Sequence, residues 1–138
     1  MQENSVARYM TRSPIVIYEN ASVHGAWDLL KNETFTHLPV LNSKEELTGI
    51  LSLTDLENLT LLLQKSNKNI IPLIEDMEVR DIMTLHVQSI DINKSIEEAN
   101  DMLLSGGIHA LPVLENGKIA GIISETDILH YYNEKYKR

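Results

Sequence analysis

The sequence predicts an α/β (α+β) fold made of two pseudo-symmetric units, each ordered strand, helix, strand, strand, helix. The first observation is a duplication, because the stretch GIISETD at 121–127 is a near copy of GILSLTD at 49–55. The second is that the likeness extends outward, since LPVL at 38–41 recurs at 111–114 at matching spacing. The third is that strand-like and helix-like apolar patterns follow each other in the same order in both copies.

Each copy starts with a lead-in that ends in Met-Thr, at 10–11 and at 83–84. We expect the lead-in to turn helical around 6–10, and its counterpart lies at 79–83. The β-branched and aromatic residues that follow predict strands at 15–18 and 87–90.

A helix follows the first strand of each copy. Ser22 can cap the first, whose apolar residues recur at helical spacing. In the second copy, Ser95 and Glu98 form a capping-box pattern, and Gly106-Gly107 predicts the end of the helix.

Two strands and a last helix complete each copy. The strands are expected at 37–41 with 47–51, and at 110–114 with 119–123. Asn116-Gly117 is the favoured two-residue hairpin turn, because both turn positions require positive φ, whereas the first copy has a longer polar loop at 42–46. The last helices are expected to begin near Thr54 and Thr126.

The boundaries predicted from the duplication are 1–66 for the first repeat with its lead-in, 67–78 for a linker and 79–138 for the second repeat. A repeat of about 60 residues alone would bury only roughly 60% of its unfolded surface. We therefore expect the two repeats to share a core.

Composition narrows the class of function. The 138 residues are 43% hydrophobic and 23% charged, without a membrane-length apolar run or a basic-then-apolar leader, so we expect a cytoplasmic protein without a membrane anchor. The net charge of −8 argues against a duplex nucleic-acid partner, which requires clustered lysines and arginines. The absence of cysteine excludes thiolate catalysis and cysteine-ligated zinc.

On these motifs the chain resembles a pair of CBS domains, the cystathionine-β-synthase-type tandem also called a Bateman module, here as a stand-alone tandem. The resemblance rests on Met-Thr before the first strand, the Leu-Pro-Val strand and Gly-hydrophobic-x-Ser-x-x-Asp, all present twice, and it covers about residues 6 to 132. It implies repeats packed sheet to sheet, assembly as a homodimer, and a regulatory role.

The resemblance also implies a ligand that contains adenosine, namely AMP, ADP, ATP or S-adenosylmethionine, held in clefts between the repeats, with no cofactor required. By resemblance, the two aspartates would bind the ribose hydroxyls, the two serines would lie toward the phosphate, and the Leu-Pro-Val backbone would border the base. The candidate ligand-binding residues are Thr11, Arg12, His37, Pro39, Ser52, Thr54 and Asp55 in the first repeat, and Thr84, His109, Pro112, Ser124, Thr126 and Asp127 in the second.

Physical chemistry allows two interpretations of the repeated Ser-x-x-Asp. A carboxylate suits two adjacent hydroxyl donors, and the start of a helix favours an anion, so ribose and phosphate would be held together at one helix start. The same four residues also fit a capping box, which requires no ligand. One interpretation can hold in the empty protein and the other in the complex.

The cations differ between the repeats. His37 directly precedes the first Leu-Pro-Val strand, whereas the second repeat has Ala110 there and His109 one position earlier. Arg12 follows the first Met-Thr and is matched by Leu85. We therefore expect the first cleft to be better equipped for phosphate, and we favour a nucleoside or a monophosphate over a triphosphate.

The leading hypothesis is a sensor that binds an adenosine ligand and acts through a partner protein. The alternative is a structural dimerisation or interaction module without a physiological nucleotide, which would associate through the apolar Leu56, Leu59, Leu62 and Leu63 of the last helix in the first repeat. We do not expect an enzyme, since no nucleophile elbow or Gly-rich phosphate loop is present. The five histidines lack the spacing of metal ligands.

Overall fold

A computed structural model describes residues 3–32, 37–65, 75–85 and 87–137. The chain divides into two compact units. We call Ile15–Val87 the Asp55 unit, and Met1–Pro14 together with Gln88–Arg138 the Asp127 unit.

The secondary structure follows the order that the duplication predicts. In chain order the elements are α1 (Val6–Tyr9), β1 (Thr11–Arg12), β2 (Ile17–Tyr18), α2 (Val23–Asn32), β3 (His37–Leu41), β4 (Leu47–Ser52), α3 (Leu53–Lys65), a 3₁₀ turn (Val79–Asp81), β5 (Ile90–Asp91), α4 (Ile96–Gly106), β6 (Ala110–Glu115), β7 (Lys118–Ser124) and α5 (Glu125–Lys135). The mixed α+β class is therefore confirmed.

Each unit contains one mixed sheet of the same design. The Asp55 unit has the strand order β2-β3-β4, and the Asp127 unit has β1-β7-β6-β5. In both, the first strand of the repeat pairs in parallel with the second, and the second pairs antiparallel with the third. The short lead-in strand β1 adds antiparallel to β7. In the Asp55 unit, Thr84 forms a single antiparallel bridge with Ile50 at the equivalent edge.

The two hairpins confirm the turn chemistry expected from the sequence. Asn116 and Gly117 have φ values of +53° and +80°, as the two-residue turn requires. In the longer loop, Asn42 Oδ1 accepts hydrogen bonds from the N–H groups of Lys44 and Glu46 at 2.9 and 3.0 Å. The loop therefore stabilises itself without a glycine.

The predicted helix ends are also present. Ser22 Oγ accepts a hydrogen bond from the Gly25 N–H at 3.0 Å, which caps α2. Ser95 and Glu98 form the capping box of α4, and Gly107 ends that helix with φ +61°. These are local contacts, so a short sequence window is enough to predict them.

Both first strands are shorter than predicted. The strand expected at 15–18 is restricted to Ile17–Tyr18, and the one expected at 87–90 is Ile90–Asp91. Each pairs in parallel with only two residues near the end of the following strand. Ile15, Val16 and Val87, which precede these short strands, pair with no strand among the described residues. The length of a paired strand depends on its partner, which is distant in sequence.

Each lead-in supplies core residues to the unit that contains the other repeat. Val6 and Met10 are buried in the Asp127 unit among residues that include Ile96, Ile123 and Tyr131. Val79 is buried in the Asp55 unit, where no part of its side chain is exposed. The compact units therefore group the chain differently from the repeats as they follow one another in sequence.

The helix α3 differs from the surface expected of it. Leu56 is buried in the core of the Asp55 unit, and Leu59 packs against that core, so these two residues do not form a free face. Leu62 is exposed at 65%, as that face requires, and Leu63 is partly buried. Leu61, which was not part of the predicted face, is exposed at 54%. Across the described ranges, no helix is long and apolar enough to span a bilayer.

Candidate functional site

In the Asp55 unit, four of the candidate residues share one face of the sheet. His37 lies directly opposite Ser52, and Pro39 lies opposite Ile50. Thr84 pairs with Ile50 from the other side. Directly opposed residues and alternate residues of a strand lie on the same face. The sheet therefore brings His37, Pro39, Ser52 and Thr84 together.

The Asp127 unit repeats this arrangement with the other lead-in. Ala110 lies opposite Ser124, Pro112 lies opposite Ile122, and Thr11 pairs with Ile122. Thr11, Pro112 and Ser124 consequently share a face. The threonine that accompanies each serine comes from the other repeat's lead-in, which the sequence alone did not indicate.

The opposite face of each sheet carries the core. Leu38 and Leu51 of the Asp55 unit, and Leu111 and Ile123 of the Asp127 unit, have no exposed area and belong to the two apolar clusters that include the helices. Thr11, Pro112 and Ser124, like their counterparts in the Asp55 unit, thus lie on the sheet face away from the helices of their own unit.

Asp55 lies in the first turn of α3 and forms a capping box with Ser52. Its Oδ2 accepts a hydrogen bond from the Ser52 N–H at 2.9 Å, and its own N–H donates to Ser52 Oγ at 3.1 Å. The capping interpretation is therefore realised. Within the described residues, the carboxylate uses only Oδ2, so Oδ1 retains its capacity to accept hydrogen bonds. Asp55 is partly exposed.

Asp127 lies in the first turn of α5 and forms the same capping box, with one difference. Its Oδ2 accepts from the Ser124 N–H at 2.8 Å and also from the Ser124 hydroxyl at 3.0 Å. The Asp127 N–H lies 3.4 Å from Ser124 Oγ. Here too, no described residue donates to Oδ1. In the Asp127 unit the serine proton is therefore already used inside the cap.

The histidines occupy different positions in the two units. His37 lies across the hairpin from Ser52 and is partly buried. His109 is exposed, and its Nδ1 lies 2.7 Å from Oε1 of Glu125, the first residue of α5. The His109 carbonyl also accepts the Glu125 N–H at 3.1 Å. A carboxylate therefore stands beside His109 at the helix start.

Arg12, like Thr11, belongs to the compact unit that contains the second repeat. It lies in the Asp127 unit opposite Gly121, on the face of the sheet away from that of Thr11. Its Nη2 donates to the Ala7 carbonyl at 3.1 Å. We expected Arg12 to serve the first repeat, and the placement differs because its lead-in pairs with β7 of the second repeat.

The two threonines inside the motif, Thr54 and Thr126, are exposed in the first turns of α3 and α5. Thr11 and Thr84 are exposed as well, while Pro39 and Pro112 are buried. The prolines can therefore shape the sheet face with their rings but offer little area to a ligand.

Sequence reasoning missed the role of the glycine in each repeated motif. A Cβ at Gly121 would lie 2.6 Å from the Thr11 carbonyl oxygen, and one at Gly49 would lie 2.5 Å from Met83 Sδ. The glycines thus allow each Met-Thr lead-in to lie against the strand that ends in the motif serine. The signal was present, since Met-Thr and the glycine are both repeated.

A separate polar cluster lies at the junction of α1, α4 and α5, lining a groove of about 570 Å³. The Tyr9 hydroxyl donates to Glu134 at 2.6 Å, and this bond raises the pKa of Tyr9. Tyr131 donates to Glu97 at 3.1 Å. These bonds fasten the lead-in and α5 to the rest of the unit.

Glu97 in this cluster is held ionised. Desolvation by burial acts to raise its pKa, but hydrogen bonds from its own backbone N–H, from Tyr131 and from Asn4, with the charge of Lys135, outweigh it. The net effect is a pKa below the ordinary value of 4.5. No group of three or more histidine, aspartate or glutamate side chains placed to hold a metal ion occurs among the residues described.

The model of the CBS domain matches residues 6–59 and 79–134. A homoserine O-acetyltransferase of Methanococcus vannielii is 29% identical over 129 residues, which are 93% of this chain but 25% of that enzyme. An uncharacterized protein of Methanocaldococcus jannaschii is 27% identical over 143 residues, covering 86% of this chain and 85% of that protein.

The chain therefore spans about a quarter of the acetyltransferase that it matches. Among solved structures, the crystal structure of CBSX2 in complex with AMP superposes with a TM-score of 0.80 at 27% identity, covering 98% of this chain and 99% of that one.

Proposed function

Because this chain belongs to the CBS-domain family, we propose that it is a regulatory module that binds an adenosine-containing ligand through its two Ser-x-x-Asp motifs. The observation that carries the proposal is the state of the aspartates. Each uses one carboxylate oxygen to cap its helix, while Oδ1 accepts no hydrogen bond from a described residue.

Such a carboxylate suits the ribose. Two adjacent hydroxyls are donors, and hydrogen bonds to a charged acceptor contribute about 1.5–3 kcal/mol each. Because Oδ2 already fixes the side chain through the serine N–H, the aspartate is preorganised and loses little conformational freedom on binding. Capping and ligand binding are then compatible functions of one side chain.

The rest of the ligand is expected to lie along the candidate face. The serine hydroxyl and the first turn of the following helix favour a phosphate, and the exposed threonine of the paired lead-in lies on the same side of the sheet. The AMP complex of the similar CBSX2 chain supports the choice of adenosine chemistry. AMP, ADP, ATP and S-adenosylmethionine are the candidates.

Regulation requires that the ligand bind two conformations of the module with different affinities. We propose that a partner protein responds to that difference, that the module works as a homodimer, and that it does so in the cytoplasm. No catalytic step is proposed for these residues.

The variants that test binding are Asp55→Asn and Asp127→Asn. The asparagine oxygen can still accept the hydrogen bond from the serine N–H and keep the cap. The second carboxylate oxygen is replaced by an NH2 group, which cannot accept a hydrogen bond from a ribose hydroxyl. Asp101→Asn, on an exposed position of α4, is the matched control.

Thermal unfolding with AMP, ADP, ATP, adenosine and S-adenosylmethionine gives the readout. A ligand at about 100 times its Kd adds about 2.7 kcal/mol to the free energy of unfolding, which raises Tm by several degrees. We expect the double variant to lose this shift while its ligand-free Tm and that of Asp101→Asn stay close to wild type. Ligand binding is disproved if no ligand shifts the Tm of the wild type, and binding through the two aspartates is disproved if the double variant keeps the shift.

A purely structural module is favoured by one observation, the adjacent exposed leucines of α3. Leu61 and Leu62 are more than half exposed on a helix that is otherwise packed or polar. If α3 is a dimer surface, Leu62→Glu should halve the mass measured by light scattering, and Gln64→Glu on the same helix should not. A dimer that ignores every nucleotide would favour this second function.

A further inference from the structure

The two Ser-x-x-Asp motifs differ in charge at the residue after the serine. We propose that this residue selects the ligand, so that the Asp55 site accepts adenosine ligands with a 5′ phosphate and the Asp127 site accepts neutral or cationic ones. The inference rests on the proposed function, since it concerns which adenosine ligand each site takes.

The first observation is the charge at the helix start. The first turn of α3 has Asp55 as its only acidic residue, and its first residue is Leu53. The first turn of α5 has both Glu125 and Asp127. A helix start attracts an anion because its N–H groups are unpaired and its dipole is positive there, and a carboxylate already present opposes a second anion.

The second observation is the carboxylate beside His109. His109 Nδ1 lies 2.7 Å from Glu125 Oε1, so a phosphate that approached His109 would meet the Glu125 carboxylate. The corresponding residue of the Asp55 unit, Leu53, carries no charge.

The third observation is the serine proton. Ser124 donates its hydroxyl to Asp127 Oδ2 at 3.0 Å. In the other unit, Ser52 Oγ accepts from the Asp55 N–H, and no described residue takes the Ser52 proton. A phosphate oxygen needs donors, so the Asp55 site offers one hydroxyl donor that the Asp127 site has already used.

The same features favour a different ligand at the Asp127 site. The Glu125 side chain is 58% accessible, so beside its contact with His109 its carboxylate can also meet a positive centre attached to the 5′ carbon of an adenosine. A sulfonium or ammonium group there would gain attraction where a phosphate meets repulsion. S-adenosylmethionine and adenosine are therefore the expected class for this site.

Reciprocal substitutions at one position test the inference. Glu125→Leu gives the Asp127 site the uncharged residue of the Asp55 site, and Leu53→Glu makes the opposite change. Glu115→Leu removes the same charge from the far end of β6, about 17 Å along the strand from Ala110, and is the control for net charge. Leu53→Gln controls for polarity, because Leu53 is partly buried against the core.

Isothermal titration calorimetry with AMP, adenosine and S-adenosylmethionine measures the stoichiometry and affinity of binding. Asp55→Asn and Asp127→Asn each disable one site and so identify where a ligand binds. Wild type should bind one AMP, lost with Asp55→Asn. Glu125→Leu should strengthen the affinity of the Asp127 site for AMP about tenfold, so that a second AMP is bound. This factor is expected when a carboxylate about 10 Å from the phosphate is removed at an effective dielectric constant of about 20. Leu53→Glu should weaken AMP by a similar factor, and Leu53→Gln should not.

The outcomes separate the two proposals. If AMP binds both wild-type sites equally and Glu125→Leu changes neither, charge selection is disproved while ligand binding stands. If none of the three ligands binds, or binding survives Asp55→Asn combined with Asp127→Asn, the proposed function itself fails. An effect of Glu115→Leu equal to that of Glu125→Leu would assign the change to net charge and overturn the inference.

Discussion

Replacing Gly121 with alanine should detach the N-terminal lead-in from the Asp127 unit. The new Cβ would lie 2.6 Å from the Thr11 carbonyl oxygen, 2.7 Å from Met10 Sδ and 3.1 Å from Met10 Cγ. Favourable contacts between such atoms lie at about 3.5–4.0 Å, so either β1 or the Met10 side chain must move. Because the shortest contact is to backbone, a rotamer change of Met10 alone cannot relieve it.

The expected cost follows from two opposing effects. Overpacking a well-filled site costs about 1–3 kcal/mol. Gly121 has no positive φ, and alanine in a strand recovers about 0.5–1 kcal/mol relative to glycine. The net loss in the free energy of unfolding is about 1–2 kcal/mol, or about 3–8 °C in Tm for a chain of this size.

Gly49→Ala is the internal comparison. There the two shortest contacts, 2.5 and 2.9 Å, are to the flexible side chain of Met83, and the Thr84 carbonyl oxygen lies at 3.0 Å. We expect a smaller loss than for Gly121→Ala, and we expect Met83→Ala to relieve most of it. Gly106→Ala, in ordinary contact with its neighbours near the end of α4, should be neutral or stabilising.

Urea unfolding and hydrogen exchange make the measurement. Gly121→Ala should lower the urea midpoint and speed exchange at the amides of residues 10–13, and it should weaken any ligand bound at the Asp127 site because Thr11 moves. An alanine variant with wild-type stability and protected lead-in amides would refute the close approach of β1 to β7.

Substitutions at three further positions test local features. Gly117→Ala places a Cβ at φ +80° and should cost about 1 kcal/mol, measured by urea unfolding, whereas Gly117→Asn should cost less. Ser95→Ala removes the α4 cap and should cost about 1 kcal/mol, and an unchanged urea midpoint would contradict that role. Because the pKa of Glu97 is lowered in the folded protein, Glu97 stabilises the fold at pH values above its unfolded pKa of 4.5, and this stabilisation is lost as the pH falls through the folded pKa. The free energy of unfolding, measured with urea, should therefore fall less steeply with decreasing pH in Glu97→Gln than in the wild type. An equally steep fall in the variant would rule out that contribution.

Prediction from sequence was most successful where the cause is local. Asn116-Gly117 specifies its turn, and Ser95 with Glu98 specifies a helix start, because each depends on hydrogen bonds within four residues. The aspartates of the motif were correctly placed at helix starts for the same reason. The strands at 15–18 and 87–90 were too long, since strand ends depend on a partner distant in sequence.

The sequence by itself determined the duplication, the order of elements, the caps and the Ser-x-x-Asp helix starts. Each of these depends on contacts between residues a few positions apart, and most of the patterns occur in both repeats. Only the tertiary structure decided which lead-in accompanies which motif, and hence that Thr11 lies with Ser124 and Thr84 with Ser52. It also turned Arg12 to the face away from Thr11 and set Glu125 against His109. The physical reason is that the two repeats share the same motifs, so each lead-in could pair with either of two similar strands. Which strand it pairs with depends on the path of the chain and on packing, which periodicity does not encode.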